Sequence, residues 1–253
     1  MPMGARAMLI AGNWKMNGTR DSAARFIDDI TNYNPSSESG HQLLICPPAT
    51  LIGAMAEPLM KKGILIGGQD CHAQPHGAFT GDISGAMLAD LGCSHVIVGH
   101  SERRTLHAET SQAVCAKAKA ALSRNLIPII CVGETWEQRE AGHAKAIVVA
   151  QINESIPDGI DSSTFVIAYE PIWAIGSGRT ATMDDIDFMH AAIKKTLMDK
   201  TADGSEGMVL YGGSVKPSNA REILGLDRVD GALIGGASLN AHDFLDIADL
   251  ATI

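Results

Sequence analysis

The chain has 253 residues, room for one large domain or two small ones, and α/β barrels of about 250 residues belong to the first class. Hydrophobic residues make up 45% of it and aromatics only 4%, which excludes a disordered or fibrous chain and suits the aliphatic core that parallel strands require. The formal net charge of −9 argues against a nucleic-acid binder, which needs a basic face to displace counterions, so an anionic ligand must be held by local groups.

Short apolar runs ending in Gly, Pro or a polar residue recur along the chain, and longer segments with helical spacing lie between most of them. In order the runs are residues 8–12, 43–46, 64–67, 95–99, 128–132, 165–169, 208–211 and 232–235, which read as parallel, fully buried strands. Helix signals fill the intervals, among them residues 22–30, the Ala- and Lys-containing 111–124, and 184–198 after the possible cap Thr182. The Pro/Ser-rich stretches 34–40 and 155–163 are short enough to be loops. No linker interrupts the pattern, so one domain spanning 1–253 is expected. An open doubly wound sheet is the rival architecture; eight regularly spaced units favour closure into a (β/α)₈ barrel surrounded by helices.

In such a barrel chemistry sits at the C-terminal ends of the strands, so the polar residues that follow each run are the ones to inspect. The first run leads into Asn13, Trp14 and Lys15, placing an amide and an ammonium beyond the buried segment. Lys15 could meet an anion there, or be a solvated lysine beside a packed Trp. The fourth run ends in Gly99-His100-Ser101-Glu102-Arg103-Arg104. His100 stands where a helical turn begins, with Ser101 as its plausible cap, and a neutral imidazole there is a good donor to a ligand oxygen. Taken alone, it reads equally as a satisfied structural histidine.

After the sixth run comes Glu170-Pro171, a carboxylate directly beyond a buried strand, followed by residues 172–181, whose apolar side chains and two glycines resemble a lid. A loop packed on the barrel top is the plainer alternative. The seventh and eighth runs end in Gly212-Gly213-Ser214 and Gly235-Gly236. Backbone amides unobstructed by side chains can cradle a phosphate, and loops after strands seven and eight frequently do so. The cluster Asp70-Cys71-His72, with His76 nearby, gathers potential metal ligands, but Pro75 breaks the helix that would align the histidines, and no metal site is expected.

The five cysteines Cys46, Cys71, Cys93, Cys115 and Cys131 are odd in number and lack a C-x-x-C pair, which suggests a reducing compartment rather than a disulfide framework. No apolar run reaches the ~18 residues of a membrane span, and the first residues lack a signal-peptide core. A soluble cytoplasmic protein without membrane partners is therefore expected.

The segments AGNWKMNG, VGHSERR, AYEPIWAIGSG, YGGSVKP and LIGGASL, in this order, resemble the triosephosphate isomerase family along nearly the whole chain. The resemblance implies interconversion of glyceraldehyde 3-phosphate and dihydroxyacetone phosphate, a step of glycolysis and gluconeogenesis, with no metal or organic cofactor. It makes Glu170 the general base, His100 with Asn13 the groups that polarise the carbonyl, and Lys15 the stabiliser of the anionic substrate and enediolate. Gly176, Ser214, Gly235 and Gly236 become the phosphate contacts, and Ser101, Glu102 and Cys131 support the site from behind its reacting groups. It also implies a homodimer in which loop 74–82, with Thr80 at its tip, inserts beside the partner's site. Asp82 stands where many members have glutamate and Arg179 where lysine is commoner, so the expected Asp82–Arg103 ion pair and lid closure are the points of departure. Residues 1–7 match nothing in the family and are expected to be a flexible extension.

Overall fold

The computed structural model describes residues 8–32, 41–176 and 178–251. The expected extension 1–7, the loop 34–40 and Ser177 of the lid lie outside the described residues.

The strands are β1 (Leu9–Asn13), β2 (Gln42–Cys46), β3 (Leu65–Gly68), β4 (His95–Val98), β5 (Ile127–Val132), β6 (Val166–Tyr169), β7 (Met208–Tyr211) and β8 (Gly231–Ile234). Each pairs in parallel with the next, and β8 returns to β1, closing the barrel in sequence order. Around it run α1 (Arg20–Thr31), α2 (Ala49–Met60), α3 (Gly85–Asp90), α4 (Ser101–Leu106), α5 (Ser111–Leu122), α6 (Trp136–Glu140), α7 (Ala144–Ser155), α8 (Met183–Lys200), α9 (Pro217–Leu224) and α10 (Ala241–Leu250). The eight apolar runs thus fall on the eight strands with ends shifted by a residue or so. Thr182 caps α8 as expected, its hydroxyl accepting the Asp185 backbone N–H while the Asp185 carboxylate accepts that of Thr182.

Alternation along each strand divides the core in two. Leu9, Ala11, Leu44, Ile97, Ile129, Cys131, Val166, Ala168, Leu210 and Leu233 pack inside the barrel. Ile10, Ile45, Val96, Val98, Ile130, Ile167 and Val209 face outward and pack with helix residues such as Phe26, Met55, Val114, Ile152, Ile193 and Phe244. No helix of the described residues is long and apolar enough to cross a membrane.

Candidate active site

The two-residue period that sends Leu9 and Ala11 into the barrel carries on to Asn13, and the period of Val166 and Ala168 carries on to Glu170. Both side chains therefore arrive at the C-terminal mouth, where they line a pocket of about 580 Å³. His100 reaches the same pocket differently. The phase of His95 and Ile97 would continue inward at position 99, but Gly99 turns left-handed with φ +67°, a conformation that costs a residue with a Cβ about 1–2 kcal/mol. The turn brings the next side chain inward. A Cβ on Gly99 would in addition lie 2.6 Å from Val114 Cγ2.

His100 itself caps α4: its Nδ1 accepts the backbone N–H of Glu102 at 3.2 Å. The expectation that Ser101 would cap this helix is corrected. Ser101 is the first helical residue, and its backbone N–H, one of the amides that a helix start leaves unpaired, donates to Glu170 Oε2 at 2.8 Å. With Nδ1 accepting, the neutral ring carries its proton on Nε2, which meets Glu170 Oε1 at 2.8 Å. Burial pushes the Glu170 carboxyl upward, but His100, the Ser101 amide and the Lys15 charge outweigh it and hold the pKa below the usual carboxylate value. Burial likewise opposes the His100 imidazolium, and the Glu170 carboxylate overcomes it and raises the pKa.

Glu170 has its place because residue 133 has no side chain. A Cβ on Gly133 would lie 1.8 Å from the Glu170 carbonyl oxygen, so the chain after β6 could not pass so close to the end of β5. Beneath, Cys131 is fully buried inside the barrel; burial, reinforced by the Glu170 charge, drives its thiol pKa well upward, so it stays a neutral thiol.

Lys15 adopts a left-handed backbone, φ +54°, uncommon for a non-glycine residue. Its N–H donates to Asn13 Oδ1 at 3.0 Å and its carbonyl accepts Gln69 Nε2 at 2.9 Å. Gln69 also donates to the Cys46 carbonyl, tying the Lys15 loop to the end of β2. The ammonium pairs with Glu102 Oε1 at 2.7 Å on one side of the pocket. On the other, the position of a Gly235 Cβ would be 3.4 Å from Lys15 Cε. Gly176, Ser214, Gly235 and Gly236 line the same pocket, so it gathers all eight residues expected to bind or react: these four with Asn13, Lys15, His100 and Glu170.

The segment expected to be a lid is anchored at its base. Trp173 Nε1 and the Tyr169 hydroxyl both donate to Glu134 Oε1, at 2.8 and 3.1 Å. Arg139 lies 4.7 Å over the Trp173 ring and also pairs with Asp185, while Arg179 lies 3.9 Å over Trp136. The expected Asp82–Arg103 pair is corrected as well. Arg103 Nε turns to Asp70 and Glu109, at 3.0 and 2.6 Å, and Asp82 lies 3.8 Å from His72. Lys117 joins Asp70 and Glu109 to the same cluster, and two carboxylates already facing two cations satisfy Arg103 within its own chain. In the Asp70–His76 stretch, Cys71 Sγ faces the Lys117 carbonyl and His72 packs on Phe79.

Inspection of strand ends passed over Gln69 and Glu134, although both are polar residues just beyond β3 and β5, where that same rule looks. Arg104 was passed over as well, and its farthest partner, Ser155, lies 51 positions away in sequence. No local pattern marks it.

The sequence model of a family described as triosephosphate isomerase matches residues 8–251. A protein named triosephosphate isomerase from Xanthobacter autotrophicus is 50% identical over 245 residues, covering 96% of either chain. One of the same name from Caulobacter vibrioides is 51% identical over 242 residues, 94% of either chain. The crystal structure of triosephosphate isomerase from Bartonella henselae superposes with a TM-score of 0.86 at 45% identity, covering 96% of this chain and 98% of that one. With the family model spanning nearly every described residue and half of all positions identical to such relatives, the chain belongs to the triosephosphate isomerase family.

Proposed function

We propose that the chain interconverts glyceraldehyde 3-phosphate and dihydroxyacetone phosphate by moving one proton between adjacent carbons through an enediolate, as a step of glycolysis and gluconeogenesis. The observation that carries this reading is the 2.8 Å contact of the Glu170 carboxylate with His100 Nε2 inside a pocket shared with the Lys15 ammonium and the glycine-rich loops. Glu170 lets go of His100 and Ser101, takes the carbon-bound proton, and leaves the electron pair in the enediolate. The same carboxylic acid then returns the proton to the neighbouring carbon, while the hydroxyl proton passes from one enediolate oxygen to the other by way of His100 Nε2, so that carbonyl and hydroxyl exchange places. Aldose and ketose are isomers, so no electron acceptor is needed.

Once Glu170 has turned to the substrate, the largest influence that raised the His100 pKa is weakened, and burial opposes the imidazolium. The Glu102 N–H at Nδ1 then favours the neutral ring, whose Nε2–H, with the Asn13 amide, donates to the oxygen that gains charge. Lys15 faces the developing negative charge, and Gly176, Ser214, Gly235 and Gly236 grip the phosphate. Closure of the lid excludes water from an enediolate that could otherwise expel its phosphate. Glu102 holds the Lys15 ammonium, the Ser101 amide holds the resting base, and Cys131 packs beneath it.

We further infer one domain and a homodimer in the reducing cytoplasm. Met16 is 96% exposed and Leu106 76% exposed. Both line a second groove of about 610 Å³ that shares Asn13, Lys15 and His100 with the active-site pocket, a place for the partner's Thr80 loop. Sedimentation of a monomer at assay concentration would refute the dimer.

The testing experiment is a coupled assay beside Glu170→Gln, which keeps the shape and removes the base. We expect kcat to fall about 10³-fold with KM changed little. Undiminished turnover in that variant would remove Glu170 from the chemistry; a folded wild-type chain with no turnover would be a phosphate binder instead.

A further inference from the structure

Arg104 makes no contact with the pocket, yet its guanidinium spans the two strand ends beneath it. Nε donates to the Gly99 carbonyl at 2.9 Å and Nη2 to the Cys131 carbonyl at 3.2 Å. Nη1 and Nη2 also reach the hydroxyls of Ser111 and Ser155, each at 3.1 Å. All four acceptors are neutral oxygens, so four of the five N–H groups are paired and none of these bonds cancels the charge.

The two carbonyls are placed where the chain most needs fixing. The β4–β5 ladder has Val98 paired with Ile130 as its last register pair, and the left-handed turn at Gly99 carries the next carbonyl out of the ladder while aiming His100 inward. Nη2 lies 3.1 Å from where a Gly99 Cβ would be, so the guanidinium fills the space against that turn. Cys131 precedes by two residues the glycine over which the Glu170 backbone passes. A shift of either strand end would move donor and base relative to each other.

We propose, resting on the isomerase reading above, that Arg104 is a positioning residue for the proton transfer: its fork locks the ends of β4 and β5 so that His100 and Glu170 face one substrate, and its charge favours ionised Glu170. Lysine is a point donor and cannot bridge both carbonyls in one plane. In support, burial lowers the Arg104 pKa while Cys131 and Glu170 are among the groups opposing it, which places the guanidinium within reach of the base's field.

The test compares Arg104→Lys and Arg104→Gln with the wild-type chain by circular dichroism, by kcat and KM, by the inhibition constant of inorganic phosphate, and by the pH profile of kcat/KM. Misplacing reacting groups by a fraction of an ångström to an ångström costs about 10- to 100-fold, and we expect kcat losses of that order in both variants. KM and phosphate inhibition should stay within about threefold of wild type, because the phosphate loops are untouched. The acid limb should move to higher pH in Arg104→Gln and stay in Arg104→Lys, which keeps the charge. If either variant is too unstable to assay, Arg104→Ala with added guanidinium supplies the fork from solution, and recovery of kcat is expected. Folded variants with wild-type kcat, losses that fall on KM and phosphate affinity alike, or no response to guanidinium would overturn the role. An inactive wild-type chain would overturn the isomerase reading together with it, whereas an active wild type with active variants would overturn the positioning role alone.

Discussion

His95 and His100 sit at opposite ends of β4 with almost the same exposure, 4% and 5%, and burial opposes the imidazolium in both. Their pKa values nevertheless move in opposite directions. The His95 Nδ1 lies 2.8 Å from the Ser94 hydroxyl, a neutral partner, and unopposed burial lowers the value to about 4. His100 faces the Glu170 carboxylate at 2.8 Å, which outweighs burial and raises it. Burial exacts a similar cost at both ends; the neighbour decides which protonation state survives. The same contrast runs through the barrel as a whole. Toward the N-terminal end, Lys194 is enclosed by Asp230 at 2.6 Å and the Gly207 carbonyl at 2.9 Å, and Asp230 also accepts the Val209 N–H. At the C-terminal end the polar groups face a pocket.

The largest effect that would sharpen this contrast is expected at the closed end. Lys194→Met keeps the apolar stem but leaves Asp230 buried without its ammonium, which should cost about 3–5 kcal/mol of stability. Urea denaturation would measure it, and kcat per folded molecule should stay near wild type because the pocket is untouched. A Lys194→Met chain as stable as wild type, or one that folds fully yet loses activity, would break the division between the two ends.

The next effect is smaller and depends on pH. His95 titrates near 6.5 when unfolded and about 4 when folded. Above pH 6.5 it is neutral in both states and contributes no pH dependence. As pH falls from 6.5 toward 4 the unfolded chain takes up a proton that the folded chain refuses, so stability declines, by up to about 3 kcal/mol. His190, also lowered to about 4 by burial, adds a decline of the same sign. His95→Asn should therefore show a shallower loss of stability between pH 6.5 and 4.5 than wild type, measured by urea denaturation at each pH. Parallel curves would mean that His95 does not stay neutral.

These elements also show where sequence reasoning reached and where it stopped. The strands were readable because a parallel barrel buries them on both faces, and short aliphatic runs such as residues 128–132 have few other uses. Asn13 and Glu170 were readable because strand period and strand end coincide at them. His100 was placed correctly at a helix start, but the capping group was mistaken. Serine is the commoner cap by propensity, while the left-handed turn at Gly99 moved the helix start back by one residue and made the imidazole the cap. The Asp82–Arg103 pair was implied by the resemblance and placed in doubt by the Asp at 82, whereas Asp70, Glu109 and Lys117 form a cluster that only the folded chain assembles. Gln69 and Arg104 each donate to backbone carbonyls, among them those of Lys15, Cys46 and Cys131 far off in sequence, and carbonyls leave no signature in a sequence.

The smallest expected effect lies at Arg179, in the segment read as a lid. Its guanidinium covers the Trp136 ring at 3.9 Å, so the far half of the lid rests on α6 while the near half is held by the Trp173–Glu134 bond. An exposed stack of this kind is worth about 0.5–1 kcal/mol. If it belongs to this conformation and is lost when the lid closes over a phosphate, Trp136→Leu should tighten inorganic phosphate binding by about two- to fivefold, since closure no longer has to break it. Arg179→Gln removes the same contact from the other side and should shift affinity in the same direction, and the double variant should fall short of the sum of the two because they share that contact. Inhibition constants for phosphate measure all three. Equal affinities would mean that the stack travels with the lid; additive shifts would mean that Trp136 and Arg179 act through separate contacts, such as the packing of Trp136 on Trp173 at 5.7 Å.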